Sequence, residues 1–172
     1  MGERRHRRET PRGELTPRVL GLDPGTRVTG WGMIEGDARR VVATEFGCIR
    51  PVRGPSRAAI LGSLADQLVL LLARLEPDVV AVETPFAGRH PRSALALAEA
   101  RGAILAALGR WGGAVVEYEP ARVKAAVVGH GRAEKQQVGF VMRHALRLAA
   151  SPPADAADAL AVALCHLRCA LS

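Results

Sequence analysis

VLGLDPGTRVTGWGMIEG, Val19 to Gly36, opens as an apolar run and stops abruptly at Pro24-Gly25-Thr26. A short apolar run ended by strong turn formers reads as a strand followed by a turn. Residues 29–36 (TGWGMIEG) then predict a second strand, and residues 41–50 (VVATEFGCIR) a third, joined by a tight turn around Gly36 and Asp37. Three consecutive strands with such short connections predict an antiparallel meander.

Downstream the period changes. Ser56 to Leu75 places Ile60, Leu64, Leu68, Leu71 and Leu75 on one stripe, the spacing of an amphipathic helix. DVVAVE (78–83) is a continuous apolar run, the pattern of a strand covered on both faces. An alanine-rich helix is expected from Ser93 to Trp111, interrupted by Gly102, and then a strand, AVVEYE (114–119). A short helix from about Pro120, a helix from Ala133 to Leu148 and a last helix opening after Pro152-Pro153 complete the order. The order predicts an α/β fold: a five-stranded mixed sheet, antiparallel first and parallel later, with helices on both faces.

The 172 residues suffice for one domain with a full core, and 48% apolar residues make it globular. Residues 1–17 (MGERRHRRETPRGELTP) lack apolar periodicity and read as a disordered basic extension before a domain at 18–172. No uninterrupted apolar run approaches the ~18–20 residues of a membrane span. No hydrophobic segment follows the basic N-terminus as a secretory signal requires. The expectation is a soluble cytoplasmic protein.

Cys48, Cys165 and Cys169 form no CxxC, and no other half of a zinc cluster is found beside the Cys165–Cys169 pair. They read as buried, inert thiols. The net charge of +7 makes a polyanionic partner plausible, nucleic acid first, although five arginines within the first dozen residues supply much of the excess.

Few acids fall in apolar surroundings. Asp23 ends the first strand and Glu83 the fourth, so both emerge at the carboxyl end of strands that look central, where open α/β sheets place their sites. Asp155 and Asp158 open the last helix three residues apart, on one face. Asp23 before Pro-Gly is a good turn starter, Glu83 could pair with an arginine, and Asp155 suits a helix N-terminus. None of these readings explains a second acid, Asp158, in a helix that is apolar nearly all round, because an unpaired buried charge costs several kcal/mol. Four convergent carboxylates would repel one another and raise their own pKa values. A divalent cation removes both problems, and oxygen ligands of this kind suit Mg²⁺ or Mn²⁺.

Two lysines stand out against 22 arginines: Lys124 and Lys135, eleven positions apart. Either could serve as a point charge beside a phosphate, or be an ordinary solvated lysine.

From Val19 to about Arg168 the chain resembles the RuvC family of bacterial Holliday-junction resolvases, within the ribonuclease H-like superfamily. The resemblance rests on LGLDPGTRVTGWG (20–32), AVETPF (81–86), RVKAAVVGHGRAEKQQV (122–138) and ADAADALAVA (154–163), in that order. It implies a ribonuclease H-like fold and an acidic tetrad at Asp23, Glu83, Asp155 and Asp158 that binds Mg²⁺, two ions per site, with Mn²⁺ as substitute. It implies basic residues near the scissile phosphate at Lys124 and Lys135, and an aromatic that meets unstacked bases at Phe86. The implied activity is metal-dependent endonucleolysis of four-way junction DNA by symmetric paired nicks, leaving 5′-phosphate and 3′-hydroxyl ends. The implied assembly is a homodimer acting with the branch-migration proteins RuvA and RuvB. The helix from Ser93 is the expected dimer surface, with Ala94, Ala96, Ala98 and Ala100 permitting close approach. The tail at 1–17 has no counterpart in the family pattern, and GRHPR (88–92) departs from it. Two rival readings are a ribonuclease acting on structured RNA or hybrids, and a non-catalytic junction-binding module.

Overall fold

The computed structural model describes residues 16–37, 40–84, 91–128 and 141–170. The sheet runs β1 (Arg18–Asp23), β2 (Thr29–Gly36), β3 (Val41–Ile49), β4 (Val79–Glu83) and β5 (Ala114–Tyr118), in the spatial order β3-β2-β1-β4-β5. β1–β2 and β2–β3 are antiparallel, whereas β1–β4 and β4–β5 are parallel. The meander and the mixed five-stranded sheet are therefore as expected, and β1 and β4 are interior strands. α1 (Arg57–Leu75) and α2 (Pro91–Trp111) cover one face; α3 (Pro120–Val128), the helical residues 141–145 (α4) and α5 (Ala154–Ala170) cover the other.

Strand alternation divides the core in two. Leu20 and Leu22 of β1, with Val80 and Val82 of β4, meet Leu64, Leu68, Leu71 and Leu72 of α1 and Ile104 and Leu108 of α2. On the opposite face Val19 and Ala81 meet Leu160 and Leu164 of α5 and Val123 and Val127 of α3. α1 is a capped helix. Ser56 Oγ accepts the Ala59 N–H at its start, and Glu76 closes it in the left-handed region with φ 46°.

Several details refine the expectations. α1 is long and apolar enough to match the length and composition of a membrane span, but its leucine stripe is packed inside the fold. α2 is not interrupted at Gly102, where a side chain would meet nothing within 4 Å. A solvent-facing glycine costs a helix about 1 kcal/mol relative to alanine without breaking it. Of the four alanines expected at a dimer surface, Ala100 is 2% exposed and is used against the chain's own core. Residues 1–15 of the basic extension lie outside the described residues, and Thr16 is already buried. Most of the helix expected at Ala133 to Leu148 also lies outside them.

Arg18 anchors the start of β1. Its guanidinium pairs with Glu35 at 2.9 Å and donates to the Glu76 carbonyl at 3.0 Å, while its backbone N–H donates to Asp78 Oδ2 at 2.9 Å. This nearly buried charge is fully partnered, as burial demands.

Candidate active site

Register sets the first two acids side by side. Leu22 of β1 pairs with Val82 of β4, so the residues that follow, Asp23 and Glu83, end adjacent parallel strands. Both face α5. Gly21, two residues before Asp23, lies under Ala159 of α5, and Ala81, two before Glu83, belongs to the α5-side core.

Three glycines bring α5 down onto that face. A Cβ on Gly21 would lie 1.9 Å from the Ala159 carbonyl oxygen, and one on Gly30 would lie 1.9 Å from the Asp155 carbonyl oxygen. A Cβ on Gly32 would lie 2.5 Å from the Leu160 side chain. The helix backbone thus rests almost directly on the sheet, an approach no other residue permits. The period-two spacing of Gly30 and Gly32 in TGWGMIEG was the visible signal of this seat.

The seat places the α5 acids over the strand ends. Asp158 acts electrostatically on Glu83, and so does Lys124 from α3. Burial pushes the Glu83 carboxyl up to about 8, helped by the Asp23 charge, by a hydrogen bond shared with Asp23 and by Asp158, while Lys124 opposes the shift. Asp155 is half-buried in the first turn of α5, where the helix dipole favours its charge, and is not among the groups acting on Glu83. The structure therefore brings Asp23, Glu83, Asp158 and Lys124 together. Phe86 and Lys135 lie outside the described residues, as do residues 85–90 and with them most of the divergent loop at 88–92.

Among the described residues no three His, Cys, Asp or Glu side chains already stand in a metal-holding arrangement. The chemistry of the group nonetheless fits a hard cation. Its donors are carboxylate oxygens, and one of them is held protonated near neutrality by burial and by its neighbours' negative charge.

Tyr118 ties the supports of this site together, a role that sequence reasoning missed. It is the register partner of Glu83, and its carbonyl accepts the Thr84 N–H at 2.8 Å and the Thr84 hydroxyl at 3.3 Å. Its own hydroxyl lies 2.9 Å from His166 Nδ1 on α5, and the Arg122 guanidinium of α3 stacks 5.4 Å from its ring centre. One side chain therefore links β5, α3 and α5, and its backbone steadies the residue after Glu83. Next to it Cys165 is fully buried, and burial, with Cys169 adding to it, pushes its thiol up to about 12. That is an inert thiol, as expected.

Comparison with known proteins agrees in one direction. Residues 19–166 match the family model described as crossover junction endodeoxyribonuclease RuvC. A protein of that description from Alkalilimnicola ehrlichii is 47% identical over 154 residues, covering 88% of this chain and 92% of the relative. One from Halorhodospira halophila is 48% identical over 149 residues, covering 87% and 89%. Among solved structures, Thermus thermophilus RuvC in complex with a Holliday junction substrate superposes with a TM-score of 0.84 at 32% identity, covering 90% of this chain and 95% of that one.

Proposed function

The chain belongs to the RuvC family of crossover junction endodeoxyribonucleases, and from that premise we propose that it resolves four-way DNA junctions by paired, symmetric nicks made at the acidic site above. The observation that carries the reading is Glu83. A carboxyl raised to about 8 by burial and by the neighbouring Asp23 and Asp158, at the carboxyl ends of two interior strands, is a site built to be completed by positive charge.

Asp23, Glu83, Asp155 and Asp158 would hold the cations, Mg²⁺ in this reading, two per site and with Mn²⁺ as substitute. When bound, such ions activate water and stabilise the charge of the leaving oxygen. The chain's own groups do the rest. The glycine seat fixes α5, so that Asp158 keeps one orientation over Asp23 and Glu83. Lys124 favours the ionised form of Glu83 and offers a compact positive charge to a phosphate oxygen. Lys135 and Phe86 complete the proposed contacts with phosphate and unstacked bases. The proposed products carry 5′-phosphate and 3′-hydroxyl ends. The proposed assembly is a cytoplasmic homodimer working with RuvA and RuvB, so that two sites cut opposed strands.

The test is a synthetic four-way junction incubated with Mg²⁺, with both opposed strands sized. Wild-type protein yields paired nicks that a ligase reseals, while Asp23→Asn and Asp158→Asn bind the junction without cutting it. Cleavage by either variant at the wild-type rate would sink the assignment of the site. Cleavage of structured RNA in preference to the junction would sink the substrate.

A further inference from the structure

Four arginines away from the acidic site are paired with acids: Arg18 with Glu35, Arg57 with Glu99 at 2.7 Å, Arg74 with Glu45 and Arg101 with Glu117 at 2.5 Å. Arg27, Arg50 and Arg53 are exposed and have no acidic partner among the described residues. No acid in the first turn of α1 offsets them.

Topology puts all three at one end of the sheet. Asp23 pairs with Gly30, and Gly30 pairs with Cys48, so one row crosses from β1 through β2 to β3. β3 runs in the same direction as β1, and Arg50 follows its last residue just as the turn carrying Arg27 follows Asp23. With strands about 4.8 Å apart, the row from Asp23 to Cys48 spans about 10 Å. That is the rise of roughly three nucleotides of one strand at about 3.4 Å each.

The segment bearing Arg50 and Arg53 is fastened to α1 by its backbone, not by its charges. Gln67 Nε2 donates to the Arg50 carbonyl at 3.1 Å and to Ser63 Oγ at 3.1 Å, and the Val52 N–H donates to Ser63 Oγ at 3.0 Å. The backbone is held while both guanidinium groups stay available. Such preorganisation lowers the ordering cost of binding.

We propose that Arg27, Arg50 and Arg53 form a phosphate-binding shelf that carries the DNA strand leading away from the acidic site, over the β3 edge, for about three nucleotides. The proposal rests on the junction-nuclease reading and adds to it a direction for one arm. Free guanidinium groups at this spacing contact phosphates, which positions the duplex without reading its sequence.

The experiment measures binding of an immobile four-way junction by the full chain without divalent metal, at salt from about 50 to 200 mM. The double variant Arg50→Ala/Arg53→Ala should bind about tenfold more weakly, with its log K against log salt slope shallower by about 1.8, two phosphate contacts at roughly 0.9 each. Arg50→Lys/Arg53→Lys should restore most of the slope, which separates lost charge from lost folding. Arg110→Ala, at an exposed arginine at the far end of α2, should behave as wild type. Uncharged methylphosphonates placed one to three nucleotides from the cut should weaken wild-type binding and weaken the double variant, which keeps only Arg27 of the three, much less. An unchanged slope in the double variant, or an equal loss in Arg110→Ala, overturns the shelf. Wild-type protein that binds junction no better than duplex overturns the junction reading and the shelf with it.

Discussion

Gly30 of β2 lies so close beneath Asp155 of α5 that a single added carbon would sit 1.9 Å from the Asp155 carbonyl oxygen. The atom in the way is backbone, so no rotamer change relieves the clash, and the start of α5 must lift. Asp158 is on the next turn and moves with it. Gly30→Ala should therefore lose about 1–3 kcal/mol of stability, as overpacked sites do. It should lose at least tenfold in single-turnover cleavage at temperatures where it remains folded, since misplacement by about 1 Å can cost 100-fold. Thermal unfolding by circular dichroism and a quenched cleavage assay measure the two. Wild-type cleavage in a folded Gly30→Ala protein would refute the seat.

Glu83 makes the metal-free protein pH-sensitive. Its carboxyl titrates near 8 in the fold against 4.5 as a model group, so the folded state holds a proton that the unfolded chain has released. Stability from this group is present below pH 4.5 and is lost as pH rises towards 8. In chelator, Glu83→Gln should melt at the wild-type temperature near pH 4.5 and several degrees above wild type at pH 8. Mg²⁺ should raise the wild-type melting temperature at pH 8 and leave the variant nearly unmoved. A wild-type-minus-variant difference that is flat with pH would show that Glu83 is not held by its neighbours.

How much of this was legible in the sequence depends on how local each feature is. The meander could be read because Pro24-Gly25 and Gly36-Asp37 are local turn signals between apolar runs. Asp23 and Glu83 stood out because each ends an apolar strand, and Asp158 because no local rule accounts for an acid there. The glycine seat was harder: glycine weakens a strand by itself, and Gly30 and Gly32 make sense only against Asp155 and Leu160 of α5, more than a hundred residues away. Gly102 misled for the same reason in reverse, since it looked like a break and is a tolerated exposed position. Tyr118 and His166 are 48 residues apart, and neither residue alone carries a sign of the other.

That Tyr118–His166 contact should be felt at acid pH. Burial holds the His166 imidazole below its ordinary pKa, so the neutral ring is the folded form and Nδ1 can accept the Tyr118 hydroxyl. A histidine depressed in the fold contributes no penalty above about pH 6.5, and stability is lost as pH falls below it, because the unfolded chain takes up the proton first. Tyr118→Phe should cost about 0.5–1.5 kcal/mol at pH 7.5, the usual worth of one hydrogen bond. His166→Gln should flatten the fall in stability between pH 6.5 and 5 relative to wild type. Denaturant titrations at the two pH values measure it, and an undiminished acid-side slope in His166→Gln would assign that slope to other groups.

Lys124 separates charge at the site from charge at the surface. Its ammonium pulls the Glu83 pKa down against burial, Asp23 and Asp158. Removing it in Lys124→Ala leaves Glu83 harder to ionise, so the rising limb of the cleavage pH profile should move to higher pH. The rate at neutral pH should fall about 10- to 100-fold from the lost electrostatic stabilisation. Junction affinity should fall much less, because one phosphate contact among several contributes only about 0.9 to the salt slope. Lys124→Arg keeps the charge on a broader, planar head and should restore the position of the limb better than the maximal rate. A loss of affinity as large as the loss of rate, with the limb unmoved, would make Lys124 an ordinary backbone contact and leave Asp23, Glu83 and Asp158 to act without it.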